Sequence, residues 1–462
     1  MRFLFLTIQL FESDFYGEVG SHLVARGHEV THVTVSRRSA RRLRERGFEA
    51  VSLLDRMERI EPADLAEEIA RIEREYEIES VTDVYRTDVA SASLSPAASA
   101  TRTVGYFRAL ETLFGELRPD VVVPEVGSET PRTAAHAIAS RLGVPTLFLF
   151  YTIFPRPLRL YVDTMHAPIV PGEEIRPLVP AERAEVESFI ADYTSRAQPI
   201  RAHRHVGITM ERVRRAGAYV VARLGEDRNN DYLRPGHWAA DHARQLIRRA
   251  RAKSLYRSIP SSPFVYFPLH VVDDYKIERV IPHLADQTAI VERAAAALPE
   301  GYELVLKEHP LSIGRNTLTL LRGLSEIPRV RLVDPHTNTH DLIERSKAVA
   351  VISSTVGLEA LLYRKPVLTI GRPFYAGYGI TVDVDSTDGV ADAMRGFLEF
   401  QPDEEAIARF LHAAMRRCLP GAPVLVDASS RNAERLATTL SSFQAPRPGR
   451  PSAGRAPAAM GA

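Results

Sequence analysis

Ser353-Ser354-Thr355 stands between the apolar run Ala348–Ile352 and a helical stretch, Val356–Tyr363, that Lys365-Pro366 closes. Hydroxyl residues at a strand-to-helix turn gather free amides and the positive end of a helix dipole at one point, which suits an anion such as a phosphate. The same residues would also serve as ordinary N-caps. Glu359 lies four residues after Thr355, on the same helix face. A carboxylate there can accept both hydroxyls of a ribose, as acidic residues do in other nucleotide folds; otherwise it is a solvated helix residue. Upstream, the strand Leu304–Leu306 delivers Lys307, Glu308 and His309 to its C-terminal edge, where open α/β sheets bind ligands. Pro310 stops the ladder and fixes the backbone beyond the imidazole. A histidine at that edge can donate a hydrogen bond to a phosphate and help a nucleotide leave. Alone it would be structural, but here it converges with a Ser-Ser-Thr turn carried by a separate strand. The chemistry predicted is transfer from a nucleotide-activated sugar.

Apolar strands separated by helices must position these groups. In the first half the pattern predicts strands at Phe3–Thr7, Glu29–Val33, Ala50–Leu53, Asp120–Val123 and Pro145–Phe150, with helices at Phe15–Arg26, from Arg38, at Val104–Leu117 and at Pro131–Leu142. A charged helical stretch from Asp55 to Tyr85 interrupts them. After a helical region the rhythm resumes at Phe264–Phe267, Glu303–Leu306, Arg331–Val333, Ala348–Ile352 and Val367–Ile370. Such alternation implies parallel sheets covered on both faces. The expected organisation is an N-terminal, acceptor-side Rossmann-like domain (1–160), a helical connection (161–260), a C-terminal nucleotide-sugar-binding Rossmann-like domain (261–400), C-terminal helices (401–444) and a disordered Pro-, Gly-, Ala- and Arg-rich tail (445–462). The helices Asp403–Arg417 and Ser430–Ser441 are expected to cross back to the first domain.

A chain of 462 residues with 45% hydrophobic content can build two cores. Its 59 basic and 58 acidic residues argue against a nucleic-acid binder. The Arg-rich stretch Arg244–Arg251 reads as a solvated helix face or a contact for anionic lipid or polymer. A single cysteine, Cys418, suits a reducing cytoplasm. No run approaches the ~18 apolar residues of a membrane span, so membrane contact would be peripheral, at the cytoplasmic face of the inner membrane.

Lys307-Glu308-His309-Pro310, then Ser353-Ser354-Thr355-Val-Gly-Leu-Glu359-Ala, Lys365-Pro366-Val and Gly371-Arg-Pro-Phe-Tyr375-Ala-Gly377-Tyr-Gly379-Ile-Thr381 together resemble the capsule polysaccharide biosynthesis proteins. The resemblance is strongest over Phe264–Thr381 and weaker over Asp120–Leu149. It implies an α/β fold of GT-B type, two doubly wound Rossmann-like domains with a cleft between them, and a glycosyltransferase, in a family that includes enzymes using CMP-Kdo; the donor sugar itself stays open. It implies that His309 contacts the donor phosphate, that Ser353, Ser354 and Thr355 hold it, that Lys307 adds positive charge and that Glu359 binds the ribose. It also implies that Tyr375, Gly377 and Gly379 shape the donor sugar pocket. Family members often show Gln, three residues, then Asp after the first strand of this domain. Asp274 keeps the spacing, but His270 replaces the Gln.

An inverting transferase needs a base from the acceptor side. Glu125, after the strand Val121–Val123, is the candidate, expected to face the cleft, with Glu129, Glu12 and Asp14 nearby. A retaining mechanism would give it another role, and the sequence does not choose. The expected partners are a nucleotide-sugar donor and a polysaccharide or glycolipid acceptor, with no nucleic acid, no metal and no cofactor. Three readings compete: a sugar-nucleotide epimerase of the same architecture, a polyol-phosphate transferase, and a noncatalytic subunit binding nucleotide sugar or polymer. The first would need an acidic and histidine cluster in the N-terminal domain. The second would carry an Asp shortly before the Ser pair, where Ala350-Val-Ile352 stands here.

Overall fold

The structure is a computed structural model that describes residues 1–196, 210–271, 274 and 276–444. Strands β1 (Arg2–Thr7), β2 (Glu29–Thr34), β3 (Glu49–Ser52) and β4 (Val121–Val123) form a parallel sheet in the order β3-β2-β1-β4. A bridge between Val122 and Thr146 adds β5 (Leu147–Tyr151), which pairs antiparallel with β6 (Leu158–Val162). The second sheet is parallel throughout: β7 (Phe264–Pro268), β8 (Glu303–Lys307), β9 (Val330–Val333), β10 (Ala348–Ile352), β11 (Val367–Ile370) and β12 (Val382–Val384), in the order β12-β11-β10-β7-β8-β9. In both sheets the chain winds outward on one side, through β1–β3 or β7–β9, then jumps back across the first strand. The order reverses between β1 and β4 and between β7 and β10. Ligand crevices of doubly wound sheets open at such points, beyond the carboxyl ends of the strands.

The period-2 alternation of each strand feeds two cores. Leu4 and Leu6 pack with Val104, Phe107 and Leu110 on one side, while Phe3 and Phe5 pack with Phe15, Val19 and Leu23 on the other. Likewise Val349 and Val351 face one core of the second sheet, and Ala350 and Ile352 face the other. Both faces are apolar because both carry helices, which is why these strands read as near-continuous hydrophobic runs.

Several boundaries depart from the sequence expectations. The helix expected to start at Val104 begins at Pro96, where Ser95 accepts from the Ala98 amide and proline occupies the first turn. Strands β6 and β12 went unforeseen: β6 pairs antiparallel in a two-stranded ribbon, and β12 is three edge residues. Of the two C-terminal helices only Ser430–Ser441 crosses back. Its Ala433, Leu436, Ala437 and Leu440 pack on Phe15, Tyr16, Val19 and Leu23. The Glu404–Arg416 helix instead buries Ile407, Phe410 and Leu411 in the second domain's core. Arg244–Arg251 lies in the Pro235–Ala252 helix, with Leu246 and Ile247 exposed. The tail assignment, 445–462, lies outside the described residues.

Candidate functional site

At the second switch point β10 ends at Ile352 and the chain turns through Ser353, held at φ 51°. Ser354 caps the Thr355–Leu362 helix, its hydroxyl accepting from the Val356 amide at 3.3 Å. The strand, turn and helix therefore stand as the residue pattern predicted. Tyr375 supports the turn from behind: it is buried, and its hydroxyl donates to the Ser354 carbonyl. Gly357 leaves the room, since a Cβ there would come within 2.3 Å of the Tyr375 hydroxyl. Tyr375 thus sits beneath the turn in the core. Gly377 and Gly379 lie in the exposed loop that follows, both at positive φ, and Asp383 accepts from the Gly377 amide at 2.8 Å.

Across the switch point, His270 follows β7 and donates from Nε2 to the Ile352 carbonyl. Its Nδ1 lies 3.6 Å from Asp274. Burial pushes Asp274 up, but the His270 hydrogen bond and charge, aided by Lys276, win and hold it below its ordinary value. His270 therefore ties the segment after β7 to the residue that precedes the Ser turn. Lys276, which no motif singled out, donates to the Ser353 carbonyl at 3.3 Å. Burial lowers its ammonium below the ordinary lysine value, with Asp274 opposing.

Next to β7, strand β8 ends at Lys307. Its ammonium is buried and donates to the Thr337 carbonyl at 2.9 Å and the Thr339 hydroxyl at 2.6 Å. Burial pushes it down to about 8, against the pull of Glu359. Glu359 is buried as well and is pushed up to about 7 by burial, opposed by Tyr193 and Lys307. A solvated helix residue, the bland alternative, is therefore not what Glu359 is. The Lys307 charge is directed at Glu359 and the Thr337–Thr339 turn. Tyr193, on the Pro180–Arg196 helix, and Tyr151, at the end of β5, bring side chains from outside the second sheet. The Tyr151 hydroxyl is held above its ordinary value by burial, then by Glu359 and Asp274. Glu308 points the other way and is buried under Tyr256 and Asn316. His309 caps the short turn Pro310–Ser312, its Nδ1 accepting from the Leu311 amide at 3.1 Å. That bond leaves the neutral ring's proton on Nε2.

Two further cations, Lys365 and Arg372, flank β11 and both have partners. Lys365 precedes β11, at the sheet edge opposite the crevice, and donates to the Glu344 and Ser346 carbonyls. Arg372 follows β11 on the crevice side and pairs with Asp385 at 2.8 Å.

The first domain repeats the geometry. Glu125 follows β4 with φ 63°, much as Ser353 follows β10. Its carboxylate is not open to the cleft as expected: it is buried, accepting from the Tyr16 hydroxyl and from the Val126 amide at 3.3 Å. Burial pushes it up to about 7, with Arg132 opposing and Glu12 adding. Arg132 is itself buried and pairs with Glu12 at 2.8 Å and Glu129 at 3.2 Å. Asp14 lies apart, paired with Arg42 at the surface. Among the described residues no group of three or more His, Cys, Asp or Glu is placed to hold a metal ion.

The two carboxyl edges face one another. Arg279, just past Lys276, donates to the Val84 and Ser128 carbonyls and the Thr87 hydroxyl of the first domain, and Arg86 returns a bond to the Glu278 carbonyl. Two doubly wound domains apposed at their ligand edges define the GT-B architecture. Residues 199–395 match the family described as "Capsule polysaccharide biosynthesis protein". The match opens well before Phe264 and takes in part of the helical connection. Among curated relatives, Protein FixF of Sinorhizobium fredii is 33% identical over 153 residues, 32% of this chain and 36% of FixF. The capsule polysaccharide modification protein LipA of Neisseria meningitidis serogroup B is 33% identical over 97 residues, 21% of this chain and 13% of LipA. The chain thus spans about a third of one relative's length and about an eighth of the other's. The solved Thermosulfurimonas dismutans KpsC, β-Kdo 2,4 transferase, is similar at 18% identity, covering 70% of this chain and 87% of that one, with a TM-score of 0.34.

Proposed function

We propose that this protein is a glycosyltransferase that moves a sugar from a nucleotide-activated donor to a surface polysaccharide or glycolipid, at the cytoplasmic face of the membrane. One observation carries the reading. The Ser353-Ser354-Thr355 turn after β10 and the His270–Asp274–Lys276 set after β7 meet across the switch point, and His309 and Lys307 stand at the same carboxyl edge at the end of the neighbouring strand β8. The helix terminus takes the phosphate, Glu359 takes the ribose, and His309 donates from Nε2 to the leaving phosphate. Gly377 and Gly379 line the approach of the donor sugar, and Asp274 orients it. Glu125 is the proposed base: near 7, its pKa suits proton removal at neutral pH. As enclosed here, it must swing off Tyr16 to reach an acceptor hydroxyl.

The positive charge of the helix terminus and Lys276, with the Nε2 proton of His309, lets the donor bind without a divalent cation, and a single phosphate suits it best, as in a cytidine monophosphate sugar. With Lys365 on the far edge and Arg372 paired, a second phosphate finds less support. The test is calorimetry with CMP, UDP and GDP, each with and without EDTA. Binding of CMP that survives EDTA is the expected result. Tight binding of UDP or GDP without CMP would sink the donor assignment, and abolition by EDTA would sink the metal-free site.

A further inference from the structure

The segment after β7 touches both halves of the molecule within four residues. Lys276 reaches the Ser353 carbonyl of the nucleotide crevice at 3.3 Å, and Ile277 and Ile281 anchor the segment in the second domain's core. Between them Arg279 leaves the domain. Its Nε donates to the Thr87 hydroxyl at 2.9 Å, and its Nη2 to the Val84 carbonyl at 2.6 Å and the Ser128 carbonyl at 3.3 Å. Thr87 and Ser128 are themselves joined, the Ser128 hydroxyl donating to the Thr87 carbonyl at 3.0 Å. Ser128 lies three residues past Glu125, on the loop that ends at the Thr130–Leu142 helix.

We infer that Arg279 is a positioning residue that locks the loop carrying Glu125 against the segment that contacts the phosphate turn. The geometry is particular to arginine. A planar fork can serve three oxygens on two loops at once, and a lysine ammonium reached through a flexible stem cannot hold the same directions. All three acceptors are neutral, so the bonds fix register. Burial depresses the guanidinium below its ordinary value, with Asp88 opposing. Lys276 and Arg279 share one short stretch, so filling the phosphate crevice and holding the Glu125 loop are mechanically linked. The inference rests on the transfer reading given above.

The test measures nucleotide affinity and donor-to-acceptor turnover in wild type, R279K and R279A, with added guanidinium as a rescue arm for R279A. R279A is expected to keep nucleotide Kd within about twofold while kcat drops 10- to 100-fold, a size typical of misplaced catalytic groups. R279K should remain at least fivefold below wild type, and guanidinium should restore part of the R279A rate. If R279A turns over within twofold of wild type, or loses nucleotide affinity in step with kcat, Arg279 is not a positioning residue. If R279A does not fold, R279K decides by the same split. Should wild type bind no nucleotide or transfer no sugar, the transfer reading itself fails, a result distinct from every outcome for the variants.

Discussion

Buried carboxylates near neutrality are the residue-scale signature of this molecule. Glu125 and Glu359 are each raised from the ordinary value to about 7, chiefly by burial. For such a group the folded state binds a proton more tightly than the unfolded chain. Its favourable contribution is complete below the unfolded value, near 4.5, and is lost as pH climbs through 7. Wild type should therefore lose stability between pH 5 and pH 8. Glu125→Gln, which keeps an acceptor for Tyr16, should flatten that loss by roughly 2–3 kcal/mol. Urea melts across the range check this, and an unchanged slope would show Glu125 to be ordinary. At the proposed nucleotide site, Glu359→Gln should weaken CMP binding, most clearly above pH 7 where the wild-type carboxylate is ionised. His309→Ala should lower turnover by about 2.7–4 kcal/mol of transition-state stabilisation while leaving nucleotide affinity near wild type. Calorimetry and initial rates separate the two effects.

At the scale of elements, the sequence carried most of what mattered. Strands β7–β11 of the second sheet and the helix after Ser354 were legible because short apolar runs bounded by turn residues leave few alternatives. So was the placement of His309, Lys307 and the Ser turn at carboxyl edges, because strand direction and a parallel sheet decide it. What escaped depends on contacts between distant residues. Lys276 sits in a stretch with no periodicity. Tyr193 and Tyr151 approach Glu359 from outside the second sheet, and the enclosure of Glu125 needs Tyr16 and the segment at Val424. Nor could spacing show that Tyr375 props the Ser354 carbonyl from the core. That prop gives a test of its own. Gly357→Ala would thrust a methyl toward the Tyr375 hydroxyl, 2.3 Å away, and tilt the first turn of the helix. Nucleotide affinity should fall about tenfold, in line with overpacking costs of 1–3 kcal/mol. Tyr375→Phe, which removes the clashing oxygen, should recover part of it when combined with Gly357→Ala. Additive losses in a double-mutant cycle would refute the coupling.

For the whole molecule, the decisive feature is that the last helix among the described residues, Ser430–Ser441, packs on the first domain. The chain runs through the first sheet, the helical connection and the second sheet, then returns so that Ser430–Ser441 covers the Leu10–Val24 helix. One domain's core is thus completed only after the other has been made, and the crossing joins them a second time, beside the contact at Arg279. Leu436 is fully buried between Val19, Leu23 and the strands beneath them. Leu436→Ala should cost about 2–5 kcal/mol, the range for a buried leucine whose cavity cannot collapse. The loss should fall on the first domain, since no second-sheet residue shares that core. In calorimetric unfolding, Leu436→Ala is expected to lower the transition of the first domain. CMP should raise the transition of the second domain, by mass action on the folded form that binds it. If the two halves instead unfold as one unit, a single transition will move down with Leu436→Ala and up with CMP. That outcome would show the return helix and the interdomain bonds to be strong enough to merge two cores into one cooperative fold, and the separate-core expectation would be wrong.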